Sequence, residues 1–271
     1  MFHINTTKII NVLKIQYNII QLMASIFVKQ SLVFCTNIIF PPTCFGCGSK
    51  VQKHGDICQI CYRDIHFIQE PYCPVYGMGL GLINGVAKTT LSIEALMHPP
   101  PFRRARAVFQ HRDLASRLIS RLKYGDREDL APIFAYHMLK KWPQLIKDCD
   151  IIVPIALHYK RFLSRRYNQA ALLAKHLAKL AQKPYNPNIL KRLKNTKPQT
   201  SLKSKAREQN VKSAFTCSEK YKPIIQNKTV LLIDDVYTTG ATVKAASKIL
   251  LRAGAKHVDV LTLSNAHKYV L

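Results

Sequence analysis

The segment Leu232-Ile-Asp-Asp-Val-Tyr-Thr-Thr-Gly-Ala-Thr242 sets two adjacent carboxylates at the end of an apolar run, followed by three hydroxyls and a glycine. Each part has a chemical use. Backbone N–H groups exposed at a turn and at the start of the following helix attract phosphate, helped by the positive end of the helix dipole. Thr238, Thr239 and Thr242 add hydroxyl donors, and Gly240 permits a close approach or a positive φ. Asp234 and Asp235 lie just upstream, where a sugar's hydroxyls would fall if its phosphate occupied the turn. Singly, an Asp pair that ends a strand or a Thr-Thr-Gly turn is commonplace. The ordered combination is much rarer and points to a phosphorylated ligand.

A second constellation is built of cysteine. Cys44-x-x-Cys47 and Cys58-x-x-Cys61 supply four thiolates on two knuckles, the set that tetrahedral Zn²⁺ takes in structural sites. A module of about forty residues gains its stability from such a metal. A redox pair and coincidence are the rivals, and two pairs this close make both minor. Paired C-x-x-C spacing also argues against a disulfide framework and for a reducing cytoplasm. Cys73 stands apart, as a spare thiol or a competitor for the same zinc, while His54 and His66 read as surface residues.

These groups need elements to position them. From Arg103 onward, apolar runs alternate with helical patterns, the mark of a parallel α/β sheet. Strands are expected at Ala105–Phe109, from Asp150 to Ile155, at Val230–Ile233 and at Val258–Leu263. The unbroken run Val230–Ile233 suits a central strand covered on both faces. Leu114, Leu118 and Leu122 recur at helical spacing up to Gly125. Asn168 caps a helix through about Gln182, with Leu172, Ala174, Leu177 and Leu180 on or near its buried face. A further helix runs from about Ala241 to Ala253, ended by Gly254, whereas 185–222 is polar, basic and nearly without period. The expected organisation is an apolar leader or helix over 1–40, a zinc-ribbon module over 41–81, a connector over 82–102 and an α/β domain over 103–271.

The segment 230–242 resembles the ribose-5-phosphate loop of type I phosphoribosyltransferases, which bind phosphoribosyl pyrophosphate (PRPP). Several further stretches narrow the resemblance: Pro41-Pro-Thr-Cys-Phe-Gly-Cys-Gly48, Cys58-Gln-Ile-Cys61, Leu122-Lys-Tyr-Gly125, Val153-Pro-Ile155, Arg165-Arg-Tyr-Asn-Gln-Ala170, Lys197-Pro-Gln-Thr200 and Lys205-Ala-Arg-Glu-Gln-Asn-Val-Lys-Ser-Ala-Phe215. In this order, from about Ile39 to Ser264, they are similar to the ComF/GntX family. Those are competence-associated proteins with an amino-terminal zinc finger and a phosphoribosyltransferase domain.

The resemblance implies roles residue by residue. Asp234 and Asp235 would be the catalytic acids, touching ribose hydroxyls directly or through Mg²⁺. Tyr237, Thr238, Thr239, Gly240, Ala241 and Thr242 would form the PRPP turn, and Pro154, Ile155 and Ala156 would face pyrophosphate. The family usually carries Pro-Val-Pro there, and Ala156 replaces its second proline. Arg161, Arg165 and Arg166 would neutralise pyrophosphate or bind DNA phosphates, unless they are simply a solvated basic loop. Relatives often hold a third Cys-x-x-Cys-Gly pair, but here Tyr76 replaces its second cysteine, so a second metal site is not expected.

The chain's 41 Lys+Arg against 15 Asp+Glu give a formal charge of +26 on 271 residues, which requires polyanionic partners. Hydrophobic residues at 48%, with 10 Gly and 14 Pro, exclude disordered and collagen-like classes. Between 191 and 212, eight basic residues (Arg192, Lys194, Lys203, Lys205 and Arg207 among them) face only Glu208. That density fits tracking along a phosphate backbone, with Phe162, Tyr167 or Tyr185 to stack on bases, or a mobile hood over the PRPP site. No sequence-reading motif is evident, so single-stranded DNA is the expected nucleic-acid partner. The leader 1–40 has Lys8, Lys14 and Lys29 and no acid; polar residues interrupt it too often for a membrane span, so no stable insertion is expected, and Met23 is an alternative start.

The resulting expectation is a cytoplasmic DNA-uptake factor that binds single-stranded DNA, keeps a PRPP site and works beside other uptake proteins. The alternative is an active phosphoribosyltransferase of nucleotide metabolism. A structural relic would require the loop to bind nothing.

Overall fold

The computed structural model of the chain describes residues 21, 40–53, 55–80, 90–125, 127–157, 167–193 and 214–267. The chain divides into two compact units, Met1–Cys58 and Gln59–Leu271. In the first, the described residues form a knuckle: Thr43 bridges to Lys50, and the Cys44 N–H donates to the Ser49 carbonyl at 2.7 Å. Gly48 turns the chain with φ +81°, a conformation that L side chains rarely adopt.

The second unit begins with two short helices, α1 (Gln59–Asp64) and α2 (Ile93–Met97), and strand β1 (Arg104–Gln110). Helices α3 (Asp113–Tyr124), α4 (Leu130–Lys141) and α5 (Pro143–Lys147) lead to β2 (Ile151–Pro154) and α6 (Gln169–Ala181). Then come β3 (Leu190–Arg192), β4 (Phe215–Cys217), the short α7 (Lys222–Ile225), β5 (Thr229–Tyr237), α8 (Ala241–Arg252) and β6 (His257–Asn265). Four strands make a parallel sheet in the order β1-β6-β5-β2, and β3 and β4 form a separate antiparallel pair.

Hydrophobic burial explains the order. Val230, Leu231, Leu232 and Ile233 are completely buried on the inner strand β5, each contributing roughly 1.5–3 kcal/mol relative to exposure. Helix α6 packs on β2 and β5, α8 on β4, β5 and β6, and α4 on β1, β6 and α6. Neither outer strand is left bare: Phe67 bridges to Phe109 of β1, and Tyr185 to Ile152 of β2. The buried Asp259 carboxylate near the start of β6 accepts from Arg103 at 2.9 and 2.6 Å, tying β6 to the entry of β1.

Three local expectations change. Helix α6 buries Leu173, Ala174, Leu177 and Ala178, while Leu180 is 47% exposed; the buried stripe is one residue round from Leu172 and Leu180. Strand β5 runs on to Tyr237, because Asp234, Val236 and Tyr237 keep their register with Thr262, Ser264 and Asn265. The stretch 185–222 holds the β3–β4 pair, whose three-residue strands are too short to show a period.

Candidate functional site

The carboxyl ends of the sheet strands, where open α/β folds bind ligands, gather the polar groups. Asp234 and Asp235 lie near the carboxyl end of β5, and Gly240 takes φ +73° immediately before α8. A Cβ at Gly240 would collide with the Tyr237 phenol, so glycine is required there on two counts. The left-handed residue directs the chain into α8, whose first N–H groups belong to the same turn. An acid pair beside a glycine turn and a helix N-terminus can take an anion together with a hydroxyl or a cation.

The acids are not equivalent. Asp235 is paired with the Lys123 ammonium at 2.8 Å, both side chains being largely buried. The Asp234 carboxyl accepts from the Asp235 N–H at 2.9 Å. Burial and the adjacent Asp235 charge push Asp234 up to about 7, against weaker opposition from Lys123 and Arg192. A dication arriving here would favour the ionised form of Asp234.

Lys123 is the site residue that sequence reasoning missed, although it sits in the quoted Leu122–Gly125 stretch. Its position is fixed by the Tyr167-Asn168-Gln169 run. The Tyr167 hydroxyl donates to the Leu122 carbonyl at 2.6 Å, and the Gln169 amide to the Lys123 carbonyl at 3.4 Å. Asn168 caps α6 through the Ala171 N–H and donates to the Ile155 carbonyl at 2.9 Å. One tripeptide therefore holds both the lysine-bearing end of α3 and the loop after β2. His111 lies nearby, its Nδ1 2.8 Å from the Ser264 hydroxyl; burial and then the Lys123 charge push its pKa down.

Of the other expected residues, Pro154 and Ile155 are buried, Ile155 donating its N–H to the Ile233 carbonyl at 2.8 Å, and Ala156 is half-buried. Thr238, Thr239 and Thr242 are half-buried, Ala241 is buried, and the Tyr237 side chain is buried in the core. Arg192 lies over the Phe215 ring at 5.3 Å and close enough to Asp234 to act on its charge. Tyr185 donates its hydroxyl to the Ala171 carbonyl at 3.2 Å. Arg161, Phe162, Arg165, Arg166, Lys194, Lys203, Lys205 and Arg207 lie outside the described residues.

Cys44, Cys47, Cys58 and Cys61 have ligand atoms all within 4.8 Å of one another. Sulfurs bound at about 2.3 Å around one tetrahedral Zn²⁺ would lie about 3.8 Å apart, so the set fits a structural zinc. The Cys44 sulfur also accepts from the Gly46 and Cys58 N–H groups at 3.4 and 3.3 Å. Cys73 is not in this group.

Comparison with known proteins agrees with both halves. Residues 35–90 match the double zinc ribbon domain, and residues 168–270 the phosphoribosyl transferase domain. Competence protein F of Haemophilus influenzae is 32% identical over 225 residues, covering 83% of this chain and 85% of the relative. The chain belongs to the ComF family. Two other members are the DNA utilization protein YhgH of Escherichia coli K12 (27% identical, covering 82% of this chain and 96% of the relative) and competence protein ComFC of Bacillus subtilis (28% identical, covering 81% and 82%). In this ComF chain, no helix among the described residues is long and apolar enough to cross a membrane.

Proposed function

We propose that this ComF protein is a cytoplasmic factor for the uptake and use of DNA in competence, that it binds single-stranded DNA, and that it keeps a Mg²⁺-dependent PRPP site. The observation that carries the ligand site is the Asp234–Asp235 pair held at the carboxyl end of the inner strand β5, beside the left-handed Gly240 and the start of α8. The α8 turn would hold the 5′-phosphate and the acids the ribose hydroxyls, while the loop of Ile155 and Ala156 would face pyrophosphate. Mg²⁺, with Asp234 and Asp235 as its protein partners, would offset pyrophosphate charge. The names of the relatives and the charge of +26 support the DNA role, since a small metabolite needs neither. A cluster of four thiolates supports a reducing compartment.

A second reading, turnover, is favoured by the intact acid pair and its lysine. The bond from the anomeric carbon to pyrophosphate would break as a nucleophilic acceptor bonds to that carbon, positive charge developing on the sugar meanwhile. Fixed carboxylates stabilise such charge by position alone.

Calorimetric titration with PRPP and Mg²⁺, wild type beside Asp235→Ala, tests the site. Saturable binding is expected for the wild type, with a loss of about 10-fold or more, ~1.4 kcal/mol, in the variant. A folded, zinc-loaded wild type that binds nothing sinks the ligand site. Pyrophosphate release with a defined base or amine would select turnover.

A further inference from the structure

Residues 71–80 and 90–97 repeat the zinc knuckle and its helix in their hydrogen bonds. Tyr72 bridges to Gly79 as Thr43 bridges to Lys50. The Cys73 N–H donates to the Met78 carbonyl at 2.8 Å, as Cys44 does to Ser49 at 2.7 Å; Gly77 returns to the Cys73 carbonyl at 2.7 Å, as Gly48 does to Cys44 at 2.8 Å. Gly77 and Gly48 both have positive φ. The second half repeats too. Cys58 precedes α1 and donates its N–H to the Cys44 sulfur at 3.3 Å; Ser92 caps α2 and donates its N–H to the Cys73 sulfur at 3.4 Å. Cys61 and Ala95 lie in the first turns of these helices, both buried. The ligand positions Cys44, Cys47, Cys58 and Cys61 thus correspond to Cys73, Tyr76, Ser92 and Ala95.

A double zinc ribbon implies a second metal here, and these residues do not fit one. Only Cys73 offers a thiolate, Ala95 offers no ligand atom, and the Tyr76 hydroxyl is spent on the His98 carbonyl at 2.7 Å. Hydrogen bonds replace the metal. The Ser92 hydroxyl donates to the Cys73 sulfur at 3.3 Å and accepts from the Ala95 N–H at 3.2 Å. Burial raises the Cys73 pKa, but the Ser92 hydroxyl and the N–H groups of Tyr76, Ser92 and Val75 outweigh it, so the net shift is downward.

What Tyr76 touches gives this replacement a consequence. Its ring meets Phe102 at 5.8 Å and Tyr237 at 6.4 Å, both edge to face, and the Lys244 ammonium of α8 lies 5.4 Å from its centre. Lys244 is also within 3.8 Å of Glu94 on α2, and its N–H closes the first turn of α8 on the Gly240 carbonyl at 2.8 Å. Tyr237 carries a buried hydroxyl with no hydrogen-bond partner among the described residues, pressed against Gly240. Packing alone therefore holds the Tyr237 side chain, and Tyr76 is one wall of that packing, beside Phe102 and His267.

We propose that residues 71–80 and 90–97 are the two halves of a second ribbon without a metal, and that Tyr76, at a zinc-ligand position, is a positioning residue that sets the turn after β5 through Tyr237 and α8. Its value for PRPP binding rests on the function proposed above; the metal-free ribbon and the strut do not.

Full-length protein is used for three readouts: zinc per chain by mass spectrometry, amide hydrogen exchange without ligand, and titration with PRPP and Mg²⁺. One zinc per chain is expected, kept by Cys73→Ser and lost by Cys47→Ser. Tyr76→Leu, which keeps apolar volume, should speed exchange at residues 238–244 by about 10-fold and leave β1 unchanged; Tyr76→Phe, which keeps the ring, should exchange like the wild type. PRPP affinity should fall by about 10-fold in Tyr76→Leu and return to within about 2-fold in Tyr76→Phe. Two zincs in the wild type, or loss of zinc in Cys73→Ser, overturn the metal-free ribbon. Unchanged exchange at 238–244 in Tyr76→Leu overturns the strut, and Tyr76→Ala gives the same reading if leucine prevents folding. A wild type that binds no PRPP while the exchange pattern holds removes the proposed function and leaves this inference standing.

Discussion

Asp234 shows how one carboxyl links stability to ligand readiness. Its folded pKa of about 7 lies above the ordinary 3.8, so the folded protein holds this proton more tightly than the unfolded chain. The resulting cost to folding is absent below about pH 4, grows between pH 4 and 7, and is complete above 7. Asp234→Asn keeps an oxygen to accept the Asp235 N–H and removes the charge. Denaturant unfolding should find the variant more stable than wild type at pH 8, by up to about 4 kcal/mol, the gain shrinking toward pH 4. A pH-independent difference would refute a raised pKa. The acid pair itself was legible in the residues; the Lys123 bond to Asp235 was not, because nothing in a local pattern tells one helix-end lysine among so many which carboxylate it will meet.

At the scale of elements, a single cap joins two parts of the site. Asn168 accepts the Ala171 N–H of α6 at 3.3 Å and also donates to the Ile155 carbonyl after β2. Its Oδ1 role was readable from sequence, since asparagine before an apolar-periodic run is a helix start. Its Nδ2 role needed the fold. Asn168→Ala should lower stability by about 1–2 kcal/mol, the cap plus one neutral hydrogen bond, read as a lower urea midpoint at unchanged slope. A change of a few tenths would show that the Ile155 bond contributes nothing. The second ribbon was half legible at the same scale. Cys73 and Tyr76 announced a missing ligand, but Ser92 and Ala95 carry no metal signal, and only backbone hydrogen bonds reveal their positions as the other two.

For the whole molecule, a charge of +26 makes electrostatics the first term in any DNA complex. If six or seven basic side chains contact a single strand, log K should fall against log salt with a slope of about −4 to −5. Fluorescence anisotropy with labelled oligonucleotides of unrelated sequence measures this. A slope near zero, or a strong sequence preference, would remove the backbone-tracking role. The sequence by itself determined what local pattern can encode: the parallel α/β class, the inner strand Val230–Ile233, the four zinc thiolates, and the acid pair with its glycine turn. Those follow from residue type and spacing, because burial period, ligand chemistry and a positive φ are local demands. Only the tertiary structure decided that Lys123 faces Asp235, that Tyr167, Asn168 and Gln169 hold two segments together, and that Tyr76 packs on Tyr237. Each of those contacts joins residues far apart in the chain, and their partners are chosen by how the sheet and helices close rather than by their neighbours in sequence.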